Sequence, residues 1–154
     1  MIRGNVVSIY ICPSKGQPLH SVNQVHAVPG RGLEGDRYFD KRGSFSDKPG
    51  EGRQVTLIEI EAIEAMNDEL GISLSPSEAR RNLVTRGVPL NQLVEKEFKV
   101  GEIILKGIRL CEPCDYLAKL TQPEVLPALV NRGGLRADIL SEGIIHVGDV
   151  VKEV

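Results

Sequence analysis

Glu102-Ile103-Ile104-Leu105-Lys106-Gly107-Ile108-Arg109-Leu110-Cys111-Glu112-Pro113-Cys114 reads as two strand-like runs hinged at a glycine and closed by a proline between two thiols. Short runs rich in isoleucine and leucine, bounded by Gly and Pro, are the pattern of β-strands. Pro113 fixes one backbone torsion and removes one amide donor. The Cys111–Cys114 stretch is therefore expected to be a stiff turn at a strand end, with Cys114 presented rather than packed. A thiolate there can act as a nucleophile, a sulfur carrier or a soft-metal ligand.

The same punctuation recurs outward from this stretch. Sixteen glycines and nine prolines are spread along 154 residues, which favours many short strands over a helical bundle. Strands are predicted at Asn5–Ile11, Val22–Val28, Gln54–Thr56, Asn82–Thr85, Glu102–Lys106, Ile108–Leu110, Leu135–Leu140 and Asp149–Val154. Several alternate apolar and polar residues, as a sheet with one buried face requires. Three helices are predicted. One spans Leu57–Leu70, with apolar residues near a 3.6-residue period and Gly71 as its stop. A second starts at Ser75, which can cap above Pro76, with Glu78 in capping-box position. A third starts near Thr121 and runs to Gly133-Gly134. The polar, glycine-rich stretch Arg37–Arg53 reads as a long loop able to cover a ligand.

Length predicts one domain over residues 1–154. A formal charge of −2 gives no sign of a nucleic-acid partner. No apolar run reaches the ~18 residues of a membrane span, and the first residues lack a signal-peptide pattern. Three cysteines are an odd count, which argues against a secreted disulfide framework. The expected setting is the reducing cytoplasm, without membrane association.

Gly30-Arg31-Gly32-Leu33-Glu34-Gly35 matches the dinucleotide motif GxGxxG in letters only. That motif must lead from a strand into a helix, and Asp36-Arg37-Tyr38-Phe39-Asp40 is a poor helix opening. The expected role is a glycine-rich bend. Arg31, Arg37, Arg53, Arg80, Arg81, Arg132 and Arg136 each lie near a glycine or an element end. Their planar forks suit phosphate and carboxylate, though a single arginine at a turn usually faces water. Arg80-Arg81-Asn82 gathers three polar residues at a helix-to-strand junction. His20, His26 and His146 have no metal-ligand spacing, and His26 is expected to be a packed or surface residue. Glu59, Glu61 and Glu64 are expected on a solvated helix face, and Cys12 as a small buried hydrophobe. One CxxC without a second pair is a weak zinc signal.

Taken in order, Gly35-Asp36-Arg37, Arg53-Gln54-Val55-Thr56-Leu57-Ile58, Arg80-Arg81-Asn82-Leu83-Val84-Thr85, Phe98-Lys99-Val100-Gly101, Pro113-Cys114, Gly133-Gly134-Leu135-Arg136-Ala137 and Gly143-Ile144-Ile145-His146-Val147-Gly148-Asp149 resemble the MOSC family. This is the domain at the C-terminus of molybdenum cofactor sulfurases, also found as small bacterial proteins. The resemblance implies a mainly β fold, a closed or nearly closed barrel with a few peripheral helices. It implies a molybdenum cofactor (molybdopterin) site in which Cys114 ligates the metal and is the catalytic residue. Arginines would hold the pterin phosphate. Arg80, Arg81 and Asn82 match the cofactor-contacting segment, Gly35, Asp36 and Arg37 a second wall, and Arg53 and Arg136 complete the set.

Two functions follow from the resemblance. In the first, the chain is a catalytic subunit that reduces a small N-hydroxylated or N-oxygenated substrate, with electrons from a separate reductase. In the second, it is a non-catalytic module that carries the cofactor, or a persulfide on Cys114, to a sulfur-transfer partner. A plain Cys111–Cys114 redox pair ranks below both.

Overall fold

The alternation of apolar and polar residues folds into a closed wall rather than an open sheet. The computed structural model describes residues 3–12, 19–36, 54–71, 73, 75–76, 81–110 and 134–154. The strands are β1 (Arg3–Ile11), β2 (His20–Val22), β3 (Gln24–Val28), β4 (Gly32–Leu33), β5 (Val55–Glu59), β6 (Leu83–Arg86), β7 (Glu97–Val100), β8 (Ile103–Leu110), β9 (Leu135–Ile139), β10 (Gly143–His146) and β11 (Val150–Glu153), with one helix, α1 (Ile60–Leu70), between β5 and β6. A 3-10 turn covers Leu90–Leu93. The order β11-β7-β8-β9-β5-β6-β1 closes through antiparallel pairing of β1 with β11. This is a seven-stranded β-barrel, and closure leaves its wall without a free edge. Strand β2 extends the sheet beyond β1, and β10-β3-β4 form a separate three-stranded sheet.

Two apolar clusters organise the wall. Val6, Ile9, Val55, Leu57, Leu83, Phe98, Leu105, Leu135 and Ala137 belong to the larger one, inside the barrel. Ile58 and Val84, one residue on from Leu57 and Leu83, point the other way and meet Ile60, Ile63 and Met66 of α1. Strand β5 is thus covered on both faces, the usual state of a strand with a parallel neighbour, and its partner β6 is parallel to it. Successive partners Leu110, Leu135, Leu57, Leu83 and Ile9 run as one row across β8, β9, β5, β6 and β1.

The expected helix start at Leu57 is corrected. Leu57 and Ile58 are strand residues, paired with Leu83 and Val84 on one side, and Leu57 with Leu135 on the other. Their spacing satisfies a helical period too, and long-range pairing decides between the two. Helix α1 does end at Gly71, in the left-handed conformation with its N–H donating to the Asn67 carbonyl. Glu59 is not on a solvated helix face. It occupies the N-cap position, and partial burial pushes its carboxyl pKa up, opposed by a backbone hydrogen bond from Leu90.

Val22–Val28 is two strands split at Asn23, because β2 pairs with β1 while β3 pairs with β10 and β4. Glu102–Lys106 and Ile108–Leu110 join as the single strand β8, with an irregularity between Gly107 and Arg109. Strands β4, β7 and β10 were not anticipated as strands. The glycine-rich stretch forms the β3–β4 hairpin, with Ala27 opposite Leu33 and Val28 opposite Gly32, so it is a bend and not a strand-to-helix phosphate loop. The helix expected near Thr121, most of the one expected from Ser75, and the Arg37–Arg53 loop lie outside the described residues.

Candidate functional site

The outer face of the barrel wall carries a buried polar network beside the α1 cluster. Thr56 is two residues before Ile58, and Asn82 two before Val84, so both share the outward face with those residues. The parallel register places Thr56 beside Asn82, one step before the Leu57–Leu83 pair. Their side chains extend the ladder. Asn82 Oδ1 accepts from the Thr56 N–H at 3.1 Å and from the Thr56 hydroxyl at 3.1 Å. The Asn82 N–H donates to Thr56 Oγ1 at 3.0 Å.

The amide nitrogen faces the other way. Asn82 Nδ2 donates to the Tyr10 carbonyl at 3.0 Å and to Asp36 Oδ1 at 3.4 Å. A backbone N–H can only donate and a carbonyl only accept, which fixes the orientation of this amide. Asp36 Oδ1 also accepts from the Cys12 N–H at 2.8 Å. Asp36 is fully buried and Asn82 is 4% exposed. One network therefore joins the ends of β1 and β4 to the starts of β5 and β6.

Gly35 sets up the Asp36 carboxylate. Its φ of +90° belongs to the region that favours glycine, and an added Cβ would stand 3.1 Å from Ile11 Cδ1. The Asp36 N–H then donates to the Leu33 carbonyl at 3.0 Å, which turns the side chain inward toward Cys12. Cys12 is buried, as expected, and its backbone rather than its thiol makes this contact.

Of the residues singled out from sequence, Asp36 and Asn82 are brought into direct contact. Arg81, one residue before Asn82, is buried at 8% exposure. Arg136 is the direct partner of Thr56 across β5 and β9, so it shares the outward face with Thr56. Cys114, Cys111, Arg37, Arg53 and Arg80 lie outside the described residues. Gln54, which follows Arg53, accepts from the Gly30 and Ile139 N–H groups at 3.0 Å each. It ties the glycine-rich hairpin to β9. Sequence reading missed Thr56 as a hub, since its side-chain role depends on the β5–β6 register.

His26 is a surface residue. Its Nδ1 lies 2.9 Å from Glu34 Oε2 and its Nε2 2.8 Å from Glu142 Oε2. Hydrogen bonds to Glu34 and Glu142 raise its pKa. The carboxylates sit at opposite ends of the ring and cannot join it around one ion. Among the described residues no cluster of three His, Cys, Asp or Glu side chains is placed to hold a metal. No helix among them is long and apolar enough to cross a membrane.

The model of the MOSC domain matches residues 40–152 of this chain, well over half its length. The chain belongs to the MOSC domain family. Within this MOSC domain the match takes in Thr56, Arg81, Asn82, Cys114 and Arg136, while Gly35 and Asp36 precede it. Solved structures share the fold. The YuaD protein from Bacillus subtilis superposes with a TM-score of 0.79 at 18% identity, covering 97% of this chain and 94% of that one. YiiM from Geobacillus stearothermophilus gives 0.74 at 17% identity, covering 98% and 75%. YiiM from Escherichia coli gives 0.71 at 18% identity, covering 100% and 70%. No curated protein matches the sequence.

Proposed function

We propose that this MOSC domain binds molybdenum cofactor on the outer face of its barrel wall and serves as the catalytic subunit of an N-oxide or N-hydroxyl reductase. The observation that carries the proposal is the Asp36–Asn82–Thr56 network, which anchors two of the segments assigned to the cofactor site, Gly35–Asp36 and Arg81–Asn82, to one another. The donor chemistry fits the group. Arg136 offers a fork for a pterin phosphate on that face, with Arg37, Arg53, Arg80 and Arg81 as further members of the set. Cys114 offers a soft thiolate for molybdenum. Leu110, the last residue of β8, stands opposite Leu135, and Cys114 follows it by four residues in the chain.

Each side chain has a separate task. Both atoms of the Asn82 amide are engaged by protein groups, so Asn82 holds the walls together rather than spending its donors on a ligand. Asp36 orients the chain at Cys12. The bound cofactor would supply the two-electron redox chemistry. Reduction of an N–OH group to N–H takes two electrons and two protons and releases water, and the electrons come from a separate reductase.

The test is turnover. Cofactor-loaded protein, given a reduced electron donor and an N-hydroxylated amidine, is expected to release the amidine, and Cys114→Ser to abolish this. Loaded protein that leaves the substrate intact, yet passes persulfide sulfur from Cys114 to an acceptor protein, would replace the enzyme reading with the carrier reading.

A further inference from the structure

His26 holds a carboxylate at each of its ring nitrogens. Val25 and Ala27 on either side of it belong to the core, so His26 lies on the outer face of the β10-β3-β4 sheet. Ile144 of β10 stands opposite it on one side. On the other, the Glu34 N–H donates to the His26 carbonyl at 2.8 Å. Glu142 precedes the Gly143–Ala27 pair by one step, which makes it a diagonal neighbour of His26. The two carboxylates thus reach one ring from segments that are far apart in the chain.

Both contacts need a proton. A neutral imidazole has one N–H and one bare nitrogen. A bare nitrogen less than 3 Å from a carboxylate oxygen sets lone pair against lone pair, as neither Glu34 at 2.9 Å nor Glu142 at 2.8 Å would tolerate. The imidazolium donates at both ends. What it joins matters. Glu34 leads through Gly35 into Asp36, whose carboxylate belongs to the buried network. Glu142 ends a corner tied to β8, where the Leu140 N–H donates to the Ile104 carbonyl and the Ile104 N–H to the Ser141 hydroxyl, both at 2.8 Å.

We propose that His26 is a proton-operated clamp, which joins the Glu34–Asp36 segment to the β9–β10 corner while both ring nitrogens carry protons and opens when one proton leaves. The clamp does not rest on the cofactor reading. Hydrogen bonds to Glu34 first and Glu142 second hold the ring's pKa above its ordinary 6.5. Below that ordinary value the ring is protonated whether the chain is folded or not, and the clamp is fully in place. As pH rises through the raised folded value the proton leaves, and this contribution is lost. Among the described residues, Glu34 and Glu142 are the charges that act on the ring. Ile144 brings no charge, and His146, the next outward residue of β10, stands opposite Gln24 with Asp149 at 3.7 Å. Arg31 lies in the turn between β3 and β4. The His26 side chain is 36% exposed, so solvent keeps the effect modest.

NMR of the full chain from about pH 5.5 to 9 tests this, with the His26 ring signal assigned by its loss in His26→Gln. The ring is expected to titrate above 6.5, and the Glu34 and Glu142 carboxyl carbons to shift at the same midpoint. Bridging needs both bonds, so losing either opens the clamp. Protection from hydrogen exchange at the Glu34 amide, the Leu140 amide or both should then fall about two- to fivefold through that midpoint. Glu142→Gln separates charge from shape. Its amide can donate to a bare ring nitrogen, so the bridge persists on the neutral ring. In that variant the midpoint should drop and the step in protection disappear. A wild-type midpoint at or below 6.5 would overturn the proposal. So would a midpoint unchanged in Glu142→Gln, or wild-type protection at both amides that is constant through the titration.

Discussion

Gly134→Ala is expected to lower the thermal midpoint of this protein by about 4–20 °C. Gly134 is buried at the entrance to β9, with φ at +106°, and a Cβ there would run into the Leu57 carbonyl oxygen. Further contacts would form at 3.0 Å with the Leu57 carbonyl carbon and 3.3 Å with Ile58 Cα. All three are backbone atoms in β5, so no side-chain rotation relieves the clash. A side chain in the left-handed region costs about 1–2 kcal/mol, and forcing an extra carbon into a packed site about 1–3 kcal/mol. At about 2–4 °C per kcal/mol for a chain of this size, the sum gives the stated range. Thermal unfolding followed by circular dichroism measures it. A midpoint within 2 °C of wild type, about the smallest shift that 1 kcal/mol gives at this size, would show that β9 does not cross so close to β5.

Asn82→Ala is the second large effect, expected at about 3–5 kcal/mol of lost stability, from buried groups worth about 1–3 kcal/mol each when orphaned. The Thr56 N–H would lose its acceptor and the Tyr10 carbonyl a donor. The Asp36 carboxylate would lose its Nδ2 partner. Asn82→Asp separates shape from chemistry. It keeps an acceptor for Thr56 but places a second carboxyl oxygen toward Asp36 and the Tyr10 carbonyl. When protonated, that carboxyl can donate, so Asn82→Asp should be closest to wild type at acidic pH and lose stability as pH rises. Urea unfolding at several pH values measures both variants. Asn82→Ala within 0.5 kcal/mol of wild type, the range of ordinary surface changes, would remove Asn82 as the keystone of the site.

Much of the barrel was legible because its strands alternate or are punctuated by glycine. The Asn5–Ile11, Asn82–Thr85 and Leu135–Leu140 readings fall within a residue or two of β1, β6 and β9. What misled was the Leu57–Ile58 pair, whose spacing serves a helix and a strand equally. Only pairing to Leu83 and Leu135, which are 26 and 78 residues away from Leu57 in sequence, separates the two. Strands β4, β7 and β10 were not read as strands from the sequence. In the site, Asp36 and Asn82 were legible through the ordered motifs. Thr56 as their hub was not, because it depends on the parallel β5–β6 register, which leaves no trace in local composition.

The measurement that tests the proposed cofactor site most directly is molybdenum and pterin content of the protein purified from a molybdenum-replete host, beside Cys114→Ser. Molybdenum and pterin together in the wild type, with molybdenum lost in Cys114→Ser, is the predicted result. Neither molybdenum nor pterin in the wild type, prepared from a host with the whole biosynthetic pathway, would contradict it.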